Sequence, residues 1–97
     1  MIKFNKNDFN ALIKNGNILV DFYTENCGSC RLIKKELMKI DDKINIIEVD
    51  ALENRNIAKK YGIMSVPTLI YFNEKGNYEI KKGYMLGDDI LQWILNR

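Results

Sequence analysis

Hydrophobic residues follow two different patterns along the first half of the chain. Residues 17–23 and 44–49 are nearly continuous apolar runs of strand length, which is typical of strands that are covered on both faces. Between these runs, apolar side chains recur every three or four positions, at Cys30, Ile33, Leu37 and Ile40. This spacing predicts an amphipathic helix over residues 28–41. The first half of the chain is therefore expected to alternate strands with helices.

Shorter elements are predicted at the N-terminus. Residues 2–4 are expected to form a short strand. Residues 6–15 carry apolar side chains at helical spacing and predict a helix, with Asn5 or Asn7 as its N-cap. Gly16 is expected to end this helix, because glycine readily adopts the left-handed conformation found just after many helices.

The last part of the chain has a different pattern. Residues 54–61 predict a short helix, and residues 88–95 predict a closing one. Thr68–Phe72 and Tyr78–Lys82 are strand-like, and the residues NEKGN at 73–77 are typical of a hairpin turn. The order β-α-β-α-β-α-β-β-α predicts an α/β fold whose sheet is parallel in its first half and ends in an antiparallel hairpin.

Composition and charge limit the classes of protein to which the chain can belong. Its 97 residues are 46% hydrophobic and 29% charged, which is typical of one globular domain, residues 1–97. A net charge of +2 is too small to indicate nucleic-acid or membrane binding. No apolar run reaches the roughly 18 residues of a membrane-spanning helix, and the N-terminal segment lacks the apolar core of a signal peptide. We therefore expect a cytoplasmic monomer.

Both cysteines lie in the segment TENCGSCR, between the predicted strand at 17–23 and the predicted helix at 28–41. The first turn of a helix presents unpaired backbone N–H groups and the positive end of the helix dipole, so a thiolate at Cys27 would be stabilised there. Cys30 follows one helical turn later, on the apolar face. We expect Cys27 to be exposed and Cys30 shielded, an asymmetry that suits a nucleophile and a resolving thiol. Gly28 leaves room for a substrate backbone.

Two other interpretations of the cysteine pair stay open at this point. A structural zinc site needs further ligands, and the chain has no second cysteine pair and no histidine. A metal shared between two subunits would need a dimer, which no feature of the sequence indicates. Two inert core cysteines would leave the strand-to-helix location as a coincidence. Redox chemistry without a metal is therefore favoured.

The chain resembles the thioredoxin family over essentially its whole length. The segment VDFYTENCGSCRLI is similar to the family's V-D-F-W-A-x-W-C-G-P-C-K, and YGIMSVPTL at 61–69 is similar to its Y-G-I/V-x-x-x-P-T-L/F. Gly83 lies where the family has a glycine before its last helix. The resemblance implies a thioredoxin fold, with a central mixed sheet of about five strands and helices on both faces.

The resemblance also implies an activity, namely the reduction of disulfides in other proteins. Cys27 would be the attacking thiolate, and Cys30 would resolve the mixed disulfide. A thioredoxin-reductase-type flavoprotein or another dithiol reductant would then reduce the Cys27–Cys30 disulfide. The chain has no Gly-rich nucleotide loop and is expected to hold no cofactor of its own.

Three further roles follow from the resemblance. Pro67 would have a cis peptide bond and lie against the cysteine pair. The backbone of Val66 would pair with an extended substrate strand. Asp21 interrupts an apolar strand, so it is expected to be a buried carboxyl with a raised pKa, and the family uses this residue to exchange a proton with the resolving thiol.

Several residues depart from the family's pattern. Asn26 replaces the usual Trp before the first cysteine and would make the substrate entrance more open. Ser29 replaces the usual Pro between the cysteines, which is expected to make the site less reducing. Glu48 lies where many relatives have Lys, so it either couples to Asp21 or points to water. The lysines of the helix at 28–41, Lys34 among them, are expected to form a solvated face.

Two alternative functions are weaker. A glutaredoxin-like enzyme would act on glutathione mixed disulfides, but the chain keeps a leading strand and helix and has CGSC rather than a CPYC-like motif. A redox-inactive thioredoxin-fold binding module would use its groove to dock a partner, with incidental cysteines.

Overall fold

A computed structural model describes residues 1–6 and 8–96, and its elements follow the predicted order. The strands are β1 (Ile2–Lys3), β2 (Ile18–Tyr23), β3 (Asn45–Asp50), β4 (Thr68–Phe72) and β5 (Tyr78–Lys82). The helices are α1 (Phe9–Ile13), α2 (Gly28–Ile40), α3 (Arg55–Lys60) and α4 (Gly87–Leu95). No helix within the described residues is long and apolar enough to cross a bilayer.

The strands form one mixed sheet in the order β1-β3-β2-β4-β5. Strand β3 pairs in parallel with both β1 and β2, whereas β4 is antiparallel to both β2 and β5. The predicted parallel first half and antiparallel C-terminal hairpin are therefore confirmed. Strand β2 lies at the centre, which explains why its sequence is an almost unbroken apolar run.

Helices cover both faces of the sheet, as predicted. On one face, α2 and α4 pack over Leu19 of β2 with a cluster that includes Ile33, Leu37 and Ile90. On the other face, Val20 and Phe22 pack with Phe9 of α1. Leu19, Val20 and Phe22 are all fully buried, so β2 has no solvent-facing side. Any polar residue on this strand is consequently removed from water.

The predicted start of the first helix is wrong. Helix α1 begins at Phe9 rather than at residue 6, because Lys6 has a φ of +57° and Asp8 is the N-cap. The Asp8 carboxylate accepts a hydrogen bond from the Ala11 backbone N–H at 3.3 Å, so it fills the role predicted for Asn5 or Asn7. Asn7 itself lies outside the described residues.

The turn between α1 and β2 depends on a close backbone approach at Gly16. This residue has a φ of +73°, and a Cβ at this position would collide with the backbone carbonyl of Asn73 in the β4–β5 turn. Gly76 also has a positive φ, of +84°, but open space surrounds it. Substituting the two glycines therefore separates two costs, because Gly76 tests only the left-handed backbone and Gly16 tests the backbone together with the collision.

We expect Gly16→Ala to destabilise the protein more than Gly76→Ala. The second change should lower the free energy of unfolding by about 1 kcal/mol, the cost of a left-handed conformation for a residue with a Cβ. The first should add roughly 2 kcal/mol more, because the Asn73 backbone cannot move aside without disturbing the hairpin. Urea unfolding of both variants measures the difference, and equal losses would contradict the packing argument.

Candidate functional site

The cysteine pair lies at the junction between the central strand and the longest helix. Strand β2 ends at Tyr23, and Cys27 is the N-cap of α2, with an extended backbone at φ −111°. The Cys27 Sγ accepts a hydrogen bond from the Cys30 backbone N–H at 3.1 Å. The two cysteines form a disulfide, and their Cα atoms are 5.1 Å apart. The sulfur of Cys27 thus occupies the capping position where a side-chain oxygen is usually found.

The two sulfurs differ in accessibility. Cys27 is half-buried, whereas Cys30 is only 4% exposed and lies on the core face of α2. Asn26, Gly28 and Ser29 are all exposed around Cys27. A Cβ added at Gly28 would meet only the end of the Arg31 side chain, at 3.8 Å, so the fold itself does not require a glycine here. The surface beside Cys27 is therefore open to a second molecule.

The Ser29 hydroxyl adds a polar contact to the accessible sulfur. Its Oγ lies 3.4 Å from the Cys27 Sγ. A proline at this position would supply neither this hydroxyl nor a backbone N–H. Ser29 can therefore donate a hydrogen bond to a negatively charged Cys27 sulfur, which the family's proline cannot do.

The segment before β4 approaches the same sulfur from the opposite side. The Val66–Pro67 peptide bond is cis, as expected, and the Val66 carbonyl oxygen lies 3.8 Å from the Cys27 Sγ. Two hydrogen bonds hold this segment. The Thr68 hydroxyl donates to the Ser65 carbonyl at 2.7 Å, and the Gly83 N–H donates to the Pro67 carbonyl at 2.9 Å. The fold therefore brings together residues that are about forty positions apart in the sequence.

An apolar hollow of about 390 Å³ adjoins Val66. Ala51, Leu52, Ile63 and Met64 contribute to its lining. The Met64 side chain is 92% exposed, so it is not part of the core. A side chain flanking a substrate cysteine could occupy this hollow while the cysteine contacts Cys27.

Asp21 lies beneath the cysteines in the middle of β2 and is only 1% exposed. Its Oδ1 has no hydrogen-bond partner among the described residues. The pKa of this carboxyl is raised to about 7. Burial is the largest cause, the negative charge of Glu48 also raises the pKa, and the positive charge of Lys34 lowers it. The expected buried carboxyl with a raised pKa is therefore present.

A cleft of about 240 Å³ connects Asp21 and Cys30. Both residues contribute to its lining, together with Glu48 and Lys34. Its other lining residues are Lys3, Tyr23, Thr24, Glu25 and Arg31. The buried carboxyl and the shielded thiol thus share one cavity that opens to solvent.

The sequence did not predict where two charged residues of this cleft would lie. Glu48 is mostly buried and is the register partner of Asp21 on β3, and its charge acts on Asp21, so the two carboxyls are coupled. The Lys34 Nζ lies 3.4 Å from the Glu48 Oε2, so Lys34 is not simply part of a solvated helix face. Lys34 follows Cys30 by four residues, and this helical spacing is the signal that could have placed Lys34 beside the cleft.

No cluster of three or more His, Cys, Asp or Glu residues suited to a metal ion occurs in residues 1–6 and 8–96.

Comparisons with known proteins agree with the geometry. The family model described as Thioredoxin matches residues 1–96. A thioredoxin from Bacillus subtilis (strain 168) is 33% identical over 101 residues, which cover 100% of this chain and 96% of the relative. A thioredoxin from Staphylococcus epidermidis is 38% identical over 78 residues, or 76% of this chain and 75% of the relative. The solved structure of a mutant thioredoxin from Halobacterium salinarum NRC-1 has a TM-score of 0.88 at 22% identity, covering 98% of this chain and 88% of that one.

The raised pKa of Asp21 predicts how stability depends on pH. The carboxyl has a pKa of about 7 in the folded protein and an ordinary value of 3.8 when unfolded, so the folded state loses stability as pH rises from about 4 to about 7. In the oxidised protein, Asp21→Asn removes this loss. Relative to wild type, the variant should gain on the order of 2–4 kcal/mol between pH 4 and pH 8.

Urea unfolding at the two pH values measures this gain, and Glu53→Gln serves as a control because Glu53 is exposed. A gain that does not change with pH would contradict the assignment of a neutral pKa to Asp21.

Proposed function

The chain belongs to the thioredoxin family and is a thiol–disulfide oxidoreductase that reduces disulfides in proteins, and we propose that Cys27 is its nucleophile and Cys30 its resolving thiol. The observation that carries this assignment is the unequal placement of the two sulfurs. Cys27 is half-buried and caps α2, while Cys30 is shielded on the core face. Only the more accessible sulfur can meet a disulfide in a folded protein without rearrangement.

The helix N-terminus supports the choice of Cys27. A thiolate at this sulfur would accept the Cys30 N–H hydrogen bond, which the structure has at 3.1 Å. The positive end of the dipole of α2 would stabilise the same charge. The Ser29 hydroxyl, 3.4 Å away, could donate a second hydrogen bond.

The proposed cycle has two exchange steps. The Cys27 thiolate attacks one sulfur of the substrate disulfide, forming a mixed disulfide and releasing the other substrate sulfur as a thiolate. Cys30 then loses its proton and attacks the Cys27 sulfur, which forms the Cys27–Cys30 disulfide and releases the second substrate thiolate. The substrate gains two electrons, and the cysteine pair loses them.

Asp21 is proposed to accept the proton of Cys30 in the resolving step. Both residues line the same cleft, and a carboxyl with a pKa of about 7 can accept and release a proton at neutral pH. The Asp21 Oδ1 has no hydrogen-bond partner within the described residues, so this oxygen is available to accept a proton.

The substrate is proposed to bind in an extended conformation across the surface beside Cys27. The backbone of Val66, before Pro67, would pair with the substrate chain as an added strand. Asn26, Gly28 and Ser29 are exposed on the other side of Cys27 and would contact the same segment. The apolar hollow beside Val66 would take a flanking side chain, so substrates with an apolar residue next to the cysteine would be preferred.

Members of the family act on disulfide substrates and are recharged by reductases. For this chain we propose a thioredoxin-reductase-type flavoprotein or another dithiol as the reductant, with the chain acting as a cytoplasmic monomer. The family assignment and the net charge of +2 support this proposal.

We expect Cys27→Ser and Cys30→Ser to fail at different steps. With dithiothreitol as the reductant, Cys27→Ser should reduce insulin no faster than dithiothreitol alone, because the nucleophile is missing. Cys30→Ser should accumulate a mixed disulfide with insulin, visible on a non-reducing gel.

The two variants are matched controls, since each loses the same disulfide and one sulfur. A mixed disulfide formed by Cys27→Ser would contradict the assignment of the nucleophile. Wild-type protein without insulin reductase activity would instead favour the glutaredoxin-like or binding-module alternative.

Ser29 is expected to make the site less reducing than a CGPC thioredoxin. Its hydroxyl favours the reduced form by donating to the Cys27 thiolate, a hydrogen bond worth roughly 0.5–1.5 kcal/mol, or about 10–30 mV for two electrons. Ser29→Pro should therefore lower the reduction potential, measured by equilibration with glutathione. Ser29→Ala removes the hydroxyl while keeping the backbone N–H, so it isolates the hydroxyl's contribution. An unchanged potential in both variants would refute the prediction.

A further inference from the structure

Asp21 needs a route by which its proton reaches water. The residue is 1% exposed, and its β4 register partner is the apolar Leu69. If Asp21 accepts the proton of Cys30, as the proposed function requires, it can do so only while it is ionised, so a proton already on this carboxyl must first reach water. The route must therefore pass through the cleft that Asp21 shares with Cys30.

Glu48 lies between Asp21 and the surface. The two residues are register partners on the parallel strands β2 and β3, so their side chains project from the same face of the sheet. Both line the cleft. The Glu48 side chain is 11% exposed, so part of it reaches solvent, whereas Asp21 is only 1% exposed.

Lys34 holds the outer end of Glu48. It lies one helical turn after Cys30 on α2, and its Nζ is 3.4 Å from the Glu48 Oε2. The Lys34 side chain is 51% exposed, so its ammonium remains hydrated while it contacts the carboxylate. This contact fixes the position of the Glu48 carboxylate.

The other charged groups of the cleft are engaged with each other near its mouth. The Lys3 Nζ is 3.9 Å from Glu25, and Arg31 donates to the Glu25 carbonyl oxygen at 3.3 Å. The Lys3 Nζ also lies 5.9 Å from the centroid of the Tyr23 ring. Glu48 is therefore the carboxyl that the geometry places beside Asp21, and Lys34 is the cation placed beside Glu48.

We propose that Glu48 relays protons between Asp21 and solvent, and that Lys34 is a positioning residue that holds Glu48 for this transfer. The proton passes from the Cys30 thiol to the Asp21 carboxylate, then to the Glu48 carboxylate, and from Glu48 to water. The cleft of about 240 Å³ is large enough for water to bridge the two carboxyls. This proposal rests on the role given to Asp21 in the proposed function.

A protonated Asp21 cannot accept the Cys30 proton, so it must first lose its own proton through Glu48, and the relay therefore predicts a longer-lived mixed disulfide when Glu48 is removed. Reduced protein is mixed with insulin at pH 7.5 in dilute buffer, quenched with acid and separated on a non-reducing gel. Glu48→Ala should lengthen the lifetime of the mixed disulfide about tenfold, which is less than the roughly 10²–10⁴-fold contributed by a group that exchanges a proton directly with the reacting atom, because Glu48 acts through Asp21. Acetate, which fits the vacated space, should restore the wild-type lifetime as its concentration rises.

Glu48→Gln keeps the shape of the side chain and should show the same delay without rescue by acetate. Glu53→Ala, which removes an exposed carboxylate outside the cleft, serves as the charge-matched control and should behave as wild type. A normal lifetime in Glu48→Ala, or a delay that acetate does not shorten, would overturn the relay, because an ion pair with a purely structural role is not restored by a small acid.

The electrostatic part of the proposal has its own signature. The rate of the resolving step should rise with pH as Asp21 ionises. Lys34→Met should move the midpoint of this rise to higher pH and Glu48→Gln to lower pH, each by on the order of one pH unit. Lys34→Arg should restore the wild-type midpoint, and Lys35→Met is the control on the same helix. Shifts in the same direction, or none, would contradict the assignment.

Asp21→Asn in the same assay separates this proposal from the one on which it rests. If Asp21→Asn leaves the lifetime of the mixed disulfide unchanged, the role of Asp21 itself fails. If Asp21→Asn lengthens the lifetime and Glu48→Ala does not, only the relay fails.

Discussion

The pairing of β2 with a strand on each side is the constraint on which the rest of the molecule depends. Its register with β3 sets Asp21 opposite Glu48, and its register with β4 sets Asp21 opposite Leu69. The same strand ends just before Cys27 and so delivers the cysteine to the start of α2. Strand β4 begins just after Pro67, which brings the Val66 carbonyl to the cysteine pair. One set of backbone hydrogen bonds therefore positions the sulfurs, the buried carboxyl and the segment at Val66 together.

The site is held at some cost to the fold. A carboxyl in the centre of a sheet loses its hydration, and the raised pKa of Asp21 measures how unfavourable its charged form is. An apolar residue would pack there without this cost. The hydrogen bonds around Cys27 and Val66 have the opposite effect, since they hold the start of α2 and the segment before β4 in place. The buried carboxyl therefore lowers the stability of the fold, while the two segments beside the disulfide are held by hydrogen bonds.

Much of this arrangement follows from local pattern. The unbroken apolar runs at β2 and β3 and the turn residues before β5 are strong signals, and the structure confirms the elements they predict. The start of α1 was harder to predict, because several polar residues could serve as its N-cap. In the structure the N-cap is Asp8. The Lys34–Glu48 contact joins two segments whose separation in space no local pattern encodes. The roles of Cys27, Cys30 and Asp21 remain predictions, although the structure places these residues together.

The composition of the chain makes the protonation of Asp21 easy to measure. The sequence contains no histidine, the side chain that ordinarily exchanges protons at neutral pH in proteins. In the oxidised protein the cysteines are joined and do not titrate. Side-chain proton uptake near pH 7 is therefore centred on one carboxyl, whose pKa is about 7. An infrared titration of the oxidised chain in the carboxyl region should follow that carboxyl without the histidine background that obscures such groups in most proteins.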